Sequence, residues 1–425
     1  MYGGDGLARL PADEQGRGKA VFVPFVLPGE DVEVTLIEEK PGFARARLDR
    51  VVRASSQRTD PQCPYFLQCG GCHYQHTGYD NQLEIKASIL KENLRRIAKL
   101  ELKEELIIHA SQPWNYRNRS RLKIRTQPQF SLGYFKFNSH ELLPVEQCPI
   151  SSPLINQAIA ELWKWGRAGR ATISAQEVEF FANAEDSELL IELYCPAGVS
   201  RDQAQSLSEE VGRLLPQIRG VVVFQAAPRS KTREEIEFTQ AASSGAAEIV
   251  YLAGDGSYHV SAGSFFQVNR NLLVELMKVA TGDASGNVAI DLYAGVGLFS
   301  SELARRFAQV IAVEASQTSH SDLVKNSPAN VKAVLATTEE YLQRRVKTKP
   351  DLVIVDPPRS GLGSRVVKGL LELGAPRLIY VSCDPATLAR DLVGLLSAGY
   401  RVEHAHLMDL FPQTFHMESI FHLAR

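Results

Sequence analysis

The sequence predicts an α/β chain whose C-terminal part is a doubly wound, mostly parallel sheet. Three observations predict it. From Val260 onward the apolar runs VAIDLYAG, VIAVEAS, DLVIVDPP and RLIYVSCDP recur between segments of helical character, and buried strands alternating with helices are what a parallel sheet requires. The first run ends in Asp291 and leads through Gly295 and Gly297 into a helix, the kind of turn at which such sheets bind ligands. The chain also has 425 residues, which at about 150 residues per domain leaves room for two or three units.

The first unit, residues 1–53, alternates apolar and polar positions in AVFVPFV and EDVEVTLIEE. The turn signals Pro28-Gly29 and Pro41-Gly42 separate the runs, and ARARLDRVV supplies a further strand. Short strands so punctuated predict a small β-barrel of the OB type. A loop rich in Ser, Pro, Cys and Gly follows. Then NQLEIKASILKENLRRIAKL spaces Leu83, Ile85, Ile89, Leu90, Leu94 and Ile97 as a helix does. Residues 54–256 as a whole read as a central α+β region, with strands in LLIELYC and GVVVFQ and a helix around INQAIAELWKWG. Residues 257–425 hold the parallel sheet.

Composition narrows the class. Hydrophobic residues at 44% and charged residues at 23% exclude disordered, collagen-like and fibrous chains. A net charge of −2 means that binding to nucleic acid must come from a local patch. One candidate is YRNRSRLKIR, where Arg117, Arg119, Arg121, Lys123 and Arg125 alternate. On a strand they share a face, either presented to phosphates or merely solvated. No apolar run reaches the roughly 18 residues that cross a bilayer, and the N-terminus has no apolar h-region. A cytoplasmic monomer with no membrane partner is expected.

Six cysteines, at 63, 69, 72, 148, 195 and 383, are too few for a disulfide scaffold. Cys63-x5-Cys69-Gly-Gly-Cys72, joined by Cys148, makes a four-thiolate set. Its spacing suits an iron–sulfur cubane and a structural zinc site equally, with His73 or His76 able to replace a thiolate in the latter. Cys383 ends a strand and precedes a helix, with Asp384 as N-cap and Pro385 in the first turn. The helix dipole should favour its thiolate, with Asp384 opposing. Base rates alone make such a cysteine a small core residue, and a lone glutamate such as Glu418 a solvated charge. Asp356-Pro-Pro is a rigid extended turn, and Glu314 ends the strand after the glycine loop, where a carboxylate can accept ribose hydroxyls.

DLYAGVG resembles the Asp-x-x-x-Gly-x-Gly motif of S-adenosylmethionine-dependent methyltransferases, which implies a Rossmann-like domain. With VIVDPPRSG, VSCDPATLARDL, DLFPQTFHMES and SFFQVN, the chain is similar over nearly its whole length to the RNA 5-methyluridine methyltransferase family. That resemblance implies methylation of uracil C5, with Cys383 as nucleophile and Glu418 as general base. It implies cofactor contacts at Gln267, Tyr293, Glu314 and Asp356, beside the loop glycines Gly295 and Gly297. It also implies a [4Fe–4S] cluster on Cys63, Cys69, Cys72 and Cys148, and a TRAM-like N-terminal barrel. Met1 directly precedes YGGDGLARL, so that barrel is expected to lack its first strand. Leu298 and Thr337 stand where relatives often carry polar or Asn/Asp residues. The implied partner is RNA, 23S ribosomal RNA first and transfer RNA second.

The chemistry accounts for the residue types. Uracil C5 is too weak a nucleophile to attack a methyl sulfonium, so a thiolate must first add at C6, and a base must later remove the C5 proton. The target base must lie in a loop or be flipped out. Phe265 and Phe266 are candidates to stack on it or to pack in the core. Two rivals stand beside this reading. One is an exocyclic-amine methyltransferase, suggested by the Asp-Pro-Pro turn and needing no thiol. The other is an RNA-binding or redox-sensing protein with a vestigial pocket.

Overall fold

The computed structural model describes residues 1–10, 18–171, 175–227, 237–344 and 349–425. Eight strands build its C-terminal sheet. In spatial order they are Val331–Leu335, Phe307–Glu314, Gly286–Leu292, Leu352–Val355, Arg377–Ser382, Glu418–Ala424, Arg401–Met408 and Leu106–His109. The first five run parallel. Their Val, Ile and Leu side chains enter two cores, one on each face, which is why these runs read as continuously apolar. Glu418–Ala424 runs antiparallel to both neighbours. Its first residue therefore lies at the end of the sheet where the parallel strands finish.

The eighth strand comes from far upstream. Leu106–His109 pairs parallel with Arg401–Met408, from Leu106 beside Ala405 to His109 beside Met408. Before it, the helix Tyr79–Asn93 continues as a π-helical turn over Leu94–Ala98, and Ile89, Leu90 and Leu94 enter the same core as Leu392 and Phe421. The expected helix forms, but it also buries Gln82 and Lys86, while Ile97 is exposed. Residues 79–109, read from sequence as part of the central region, thus pack with the C-terminal sheet.

The central sheet has seven strands, with Arg119–Arg125 next to Glu177–Ala182 and then Leu189–Cys195. Helices Pro153–Arg167 and Arg201–Gly212 cover one face through Ile155, Ile159, Leu207 and Val211. The other face meets the hairpin Glu248–Ala253 and Gly256–Ser261. There Phe181, Leu190 and Val222 share a core with Phe266, Val296 and Leu298, so an apolar seam joins the central and C-terminal sheets.

At the N-terminus four strands form one sheet in the order Asp5–Arg9, Ala20–Pro24, Phe43–Arg53, Asp31–Glu39. Val21, Val23, Ala44 and Ala46 fill its small core. It docks on the cysteine-bearing loop through Phe25, whose ring lies 5.3 Å from Phe66 and 4.8 Å from Phe137. Arg58 fastens the joint by donating to the Phe25 carbonyl at 2.8 Å and pairing with the buried Glu30 carboxylate.

Candidate functional site

The sheet's geometry brings two distant residues together. Ser382 pairs with Ser419 across the antiparallel step, which brings the next residue, Cys383, within electrostatic reach of the Glu418 carboxyl. Cys383 is half-buried and sits just before the helix Pro385–Ser397. Asp384 caps that helix by accepting from the Ala386 and Thr387 amides, each at 2.9 Å. The expectation that the helix dipole favours a thiolate is corrected here. Burial pushes the Cys383 thiol up to about 12, and the Glu418 and Asp356 carboxyls push the same way while Arg359 opposes them. In the protein alone Cys383 is a thiol.

Its neighbours are equally unusual. Glu418 is 5% exposed, its Oε1 has no partner, and burial followed by the charge of Asp356 raises its carboxyl well above the ordinary range. Burial and the adjacent Asp291 push Asp356 up to about 7. Asp291 is itself pushed up to about 7 by burial. Its Oδ2 accepts from Ser300 Oγ at 2.5 Å and its Oδ1 is left without a partner. Buried carboxyls at close quarters cannot all ionise, so the cleft favours either bound protons or a cation.

This arrangement has a sign that can be measured. Folded-state values of about 7 for Asp291 and Asp356 exceed the unfolded value near 4, so the native state binds more protons than the unfolded chain across that window. Their contribution to stability is present below about pH 4 and is lost as pH rises towards 7. Urea midpoints at pH 5 and pH 8 should therefore fall with pH, and Asp356→Asn should flatten that fall. An unchanged slope in the variant would refute the raised carboxyl.

The glycine loop supplies the cleft's floor. Tyr293 holds a positive φ of 64°, and Gly295, at φ 55°, has open space where a Cβ would stand. Gly297, at φ 94°, also packs closely, since a Cβ there would lie 2.8 Å from Leu323 Cδ1. Glu314 is oriented by main-chain amides: Oε2 accepts from Gly295 at 2.9 Å and Oε1 from Ser316 at 2.6 Å. Gln267 is buried, and its carbonyl accepts from Asn118 Nδ2 at 3.1 Å, tying SFFQVN to the central sheet. The two phenylalanines separate cleanly. Phe266 is 1% exposed in the seam, whereas Phe265 is 65% exposed. The departures at Leu298 and Thr337 have local reasons: Leu298 fills the seam, and Thr337 caps the helix Thr338–Gln343 in a reciprocal box with Glu340. Orphaned carboxyl oxygens, an open Gly295 and an oriented Glu314 fit a cationic, ribose-bearing cofactor.

The segment that ends in Glu418 is tied down by residues with no sequence signature. The His73 and Tyr74 amides both donate to the Gln413 carbonyl, at 2.8 and 3.0 Å. Gln82 and Gln413 bond each other through their side chains, Tyr116 donates to the Pro412 carbonyl, and Asn269 to that of Leu410. Lys86, wholly buried, pairs with Asp409 at 2.6 Å and donates to the Phe411 carbonyl at 3.0 Å.

Cys63, Cys69, Cys72 and Cys148 line one enclosed cavity of about 40 Å³ with Phe66, Tyr134 and Ile150. Among the described residues no three side chains stand at metal-ligating separation. The thiol of Cys69 is pushed up to about 11 and those of Cys63 and Cys72 are also raised, in each case first by burial. Four thiols and no competing carboxylate in one cavity are a donor set that fits a thiolate-bound centre. His76 stacks on Phe66, with both ring nitrogens unpartnered. The sixth cysteine, Cys195, is core.

The basic stripe behaves differently from the expectation. Arg119 is buried between Glu179 and Glu192, and Arg121 and Lys123 both pair with Glu177. Arg121 also lies over the Tyr194 ring. Arg117 lines the cysteine cavity, and Arg125 is exposed. The neighbouring strand neutralises most of the stripe, which one strand's pattern cannot reveal. A more open surface, of mixed charge, is a groove of about 720 Å³ beside the N-terminal sheet, lined by Arg45, Arg47, Arg50, Arg58 and Lys136 with Asp5, Asp49 and Phe22, each of these cations being paired with a carboxylate. Its Arg47–Asp49 and Arg50–Glu33 pairs are exposed, and exposed pairs, screened by solvent, are open to exchange for a phosphate.

Comparison with known proteins places these features. The family model for tRNA (uracil-5-)-methyltransferase matches residues 78–425, and that for the TRAM domain matches residues 2–48. A 23S rRNA (uracil(1939)-C(5))-methyltransferase of Klebsiella pneumoniae is 32% identical over 433 residues, covering 98% of this chain and 92% of that one. An uncharacterized RNA methyltransferase of Aquifex aeolicus is 32% identical, covering 99% and 95%. Among solved structures, the Pyrococcus abyssi tRNA (uracil-54, C5)-methyltransferase in complex with S-adenosyl-L-homocysteine superposes with a TM-score of 0.75. It is 25% identical, and both chains are covered completely. The described residues include no helix long and apolar enough to cross a membrane.

Proposed function

Because this chain belongs to the tRNA (uracil-5-)-methyltransferase family, with a TRAM domain at its N-terminus, we infer that it methylates C5 of a uracil in 23S ribosomal RNA through a transient bond from Cys383 to C6. The observation that carries the reading is the juxtaposition of Cys383 and Glu418 by the antiparallel register. S-adenosylmethionine, when bound, supplies an electrophilic methyl group, and Gln267, Tyr293, Glu314 and Asp356 are the residues to hold it. A positive charge entering beside Asp356 and Glu418 stabilises their ionised forms by the same electrostatics that now holds them protonated.

The residues then act in order. Cys383 passes its proton to an ionised neighbouring carboxylate, Asp356 being the one with a value near neutrality, and Sγ bonds to C6. The ring electrons shift to make C5 nucleophilic, and C5 takes the methyl group. Glu418 removes the C5 proton, the C5–C6 double bond re-forms, and Sγ leaves. Exposed Phe265 stacks on the extruded base. The groove of Arg45, Arg47 and Arg50 holds flanking phosphates, with Arg125 at the edge of the central sheet. The enzyme works in the cytoplasm as a monomer.

Ribosomal RNA is preferred because the ribosomal relative from Klebsiella matches over almost the whole chain. Transfer RNA is the second reading, favoured by the likeness to the Pyrococcus enzyme. Mapping 5-methyluridine in both RNAs from cells with and without the protein decides between them: one uridine in 23S RNA should lose its methyl group. Loss confined to transfer RNA would select the second reading, and no loss in either would overturn both.

The four clustered cysteines hold a [4Fe–4S] centre that staples the loop leading to His73 and Tyr74, and so steadies the Gln413 carbonyl. Anaerobically purified protein should show broad visible absorbance that Cys148→Ser removes. A colourless protein with stoichiometric zinc would overturn the assignment.

A further inference from the structure

Tyr2 belongs to the N-terminal domain, yet its hydroxyl donates to the main-chain carbonyl of Cys383 at 3.0 Å. Its ring meets Phe415 edge-on, centroids 5.4 Å apart at 89°. Phe415 in turn packs on His416 at 4.1 Å and on His73 at 4.6 Å. The approach depends on Gly4, which has φ 89° and lies so close to His73 that a Cβ would stand 3.2 Å from that ring. One side chain of the RNA-binding module thus touches both the turn that carries the nucleophile and the segment that ends in the base.

The Cys383 carbonyl occupies acidic ground, with Glu418, Asp356 and Asp384 all near its residue. A hydrogen-bond donor is what an oxygen so placed lacks. Burial, then the charge of Asp384, holds the Tyr2 hydroxyl far above its usual range, so it keeps its proton and donates. The Asp384 side chain fixes the far side of the turn through the Ala386 and Thr387 amides, and Tyr2 fixes the near side. Without it the peptide after Cys383 is held only through its own N–H, which donates to Ser382 Oγ at 3.3 Å, and its carbonyl side loosens, with Sγ next to it.

We propose that Tyr2 is a positioning residue for methyl transfer, through which the TRAM domain orients the Cys383 turn as well as binding RNA. The proposal rests on the uracil-C5 reading above. Tyr2→Phe removes one oxygen and keeps the ring against Phe415. An RNA carrying 5-fluorouridine at the target has no C5 proton to lose, so the adduct accumulates and its rate of formation is read directly. At saturating RNA that rate should fall about 10- to 100-fold, the size expected for a misplaced reacting atom, while the Kd for RNA stays within twofold. Peptide-resolved alkylation of Cys383 in the absence of RNA should also change relative to wild type, a readout independent of substrate. An unchanged adduct rate at saturation with unchanged alkylation overturns the proposal and leaves Tyr2 a packing residue. Wild-type protein that forms no adduct and no 5-methyluridine overturns the underlying reading instead.

Discussion

Cys383→Ala is expected to form no 5-methyluridine at all, while Glu418→Gln is expected to accumulate a covalent complex with RNA that survives denaturation. The two outcomes follow from one geometry. On the reading proposed above, sulfur at position 383 adds to C6, so its removal leaves uracil C5 without nucleophilic character. On the same reading Glu418 acts after methyl transfer. Its amide replacement cannot take the C5 proton, so addition proceeds and elimination slows by about 10²- to 10⁴-fold, the usual contribution of a general base. A denaturing gel resolves the adduct, and mass spectrometry of the Cys383 peptide identifies the linkage. An exocyclic-amine methyltransferase needs no thiol, so methylation that persists in Cys383→Ala would sink the uracil-C5 mechanism.

Lys86→Met is expected to cost about 3–5 kcal/mol of folding stability, the penalty for leaving a buried charge without its partner. Both Lys86 and Asp409 have side chains fully shielded from solvent, with Nζ 2.6 Å from Oδ1. Burial lowers the Lys86 ammonium, and the charge and hydrogen bond of Asp409 oppose that shift. Removing Lys86 strands Asp409, whose Oδ2 already lacks a partner, and leaves the Phe411 carbonyl with only its Thr414 donors. The double variant Lys86→Met/Asp409→Leu should recover most of the loss, because two apolar groups leave no uncompensated charge. Denaturant midpoints of the three variants measure this. A single variant as stable as wild type would show that the pair does not carry the segment before Glu418.

Much of the catalytic sheet was legible because its signal is local. A fully buried parallel strand is a short apolar run, and the four such strands end within one residue of Asp291, Glu314, Asp356 and Cys383. The motifs around Cys383 and Glu418 were recognisable, but no spacing says that these residues come together. That follows from the antiparallel insertion of Glu418–Ala424. Ionisation was misjudged for a related reason: a helix N-terminus is visible in sequence, whereas the burial that outweighs it, and the Glu418 and Asp356 carboxyls that add to it, come from other strands. The basic stripe failed in the same way, since Glu177 and Glu179 lie over fifty residues away on the neighbouring strand. Gln82, Lys86 and Tyr2 were invisible because a polar residue on a helix face or near a terminus carries no pattern until its partner is known.

The edge strand Leu106–His109 has a consequence for how the molecule is made. It leaves the ribosome with its partner Ala405 still roughly 300 residues from being synthesised, a delay of about 15–60 s at translation speeds of about 5–20 residues per second. Throughout that interval Leu106, together with the apolar side of the preceding helix, lacks the core it packs into. The catalytic domain therefore cannot fold in the order of translation. A nascent chain stopped short of Arg401 should remain bound to chaperones, however completely its TRAM domain has already folded.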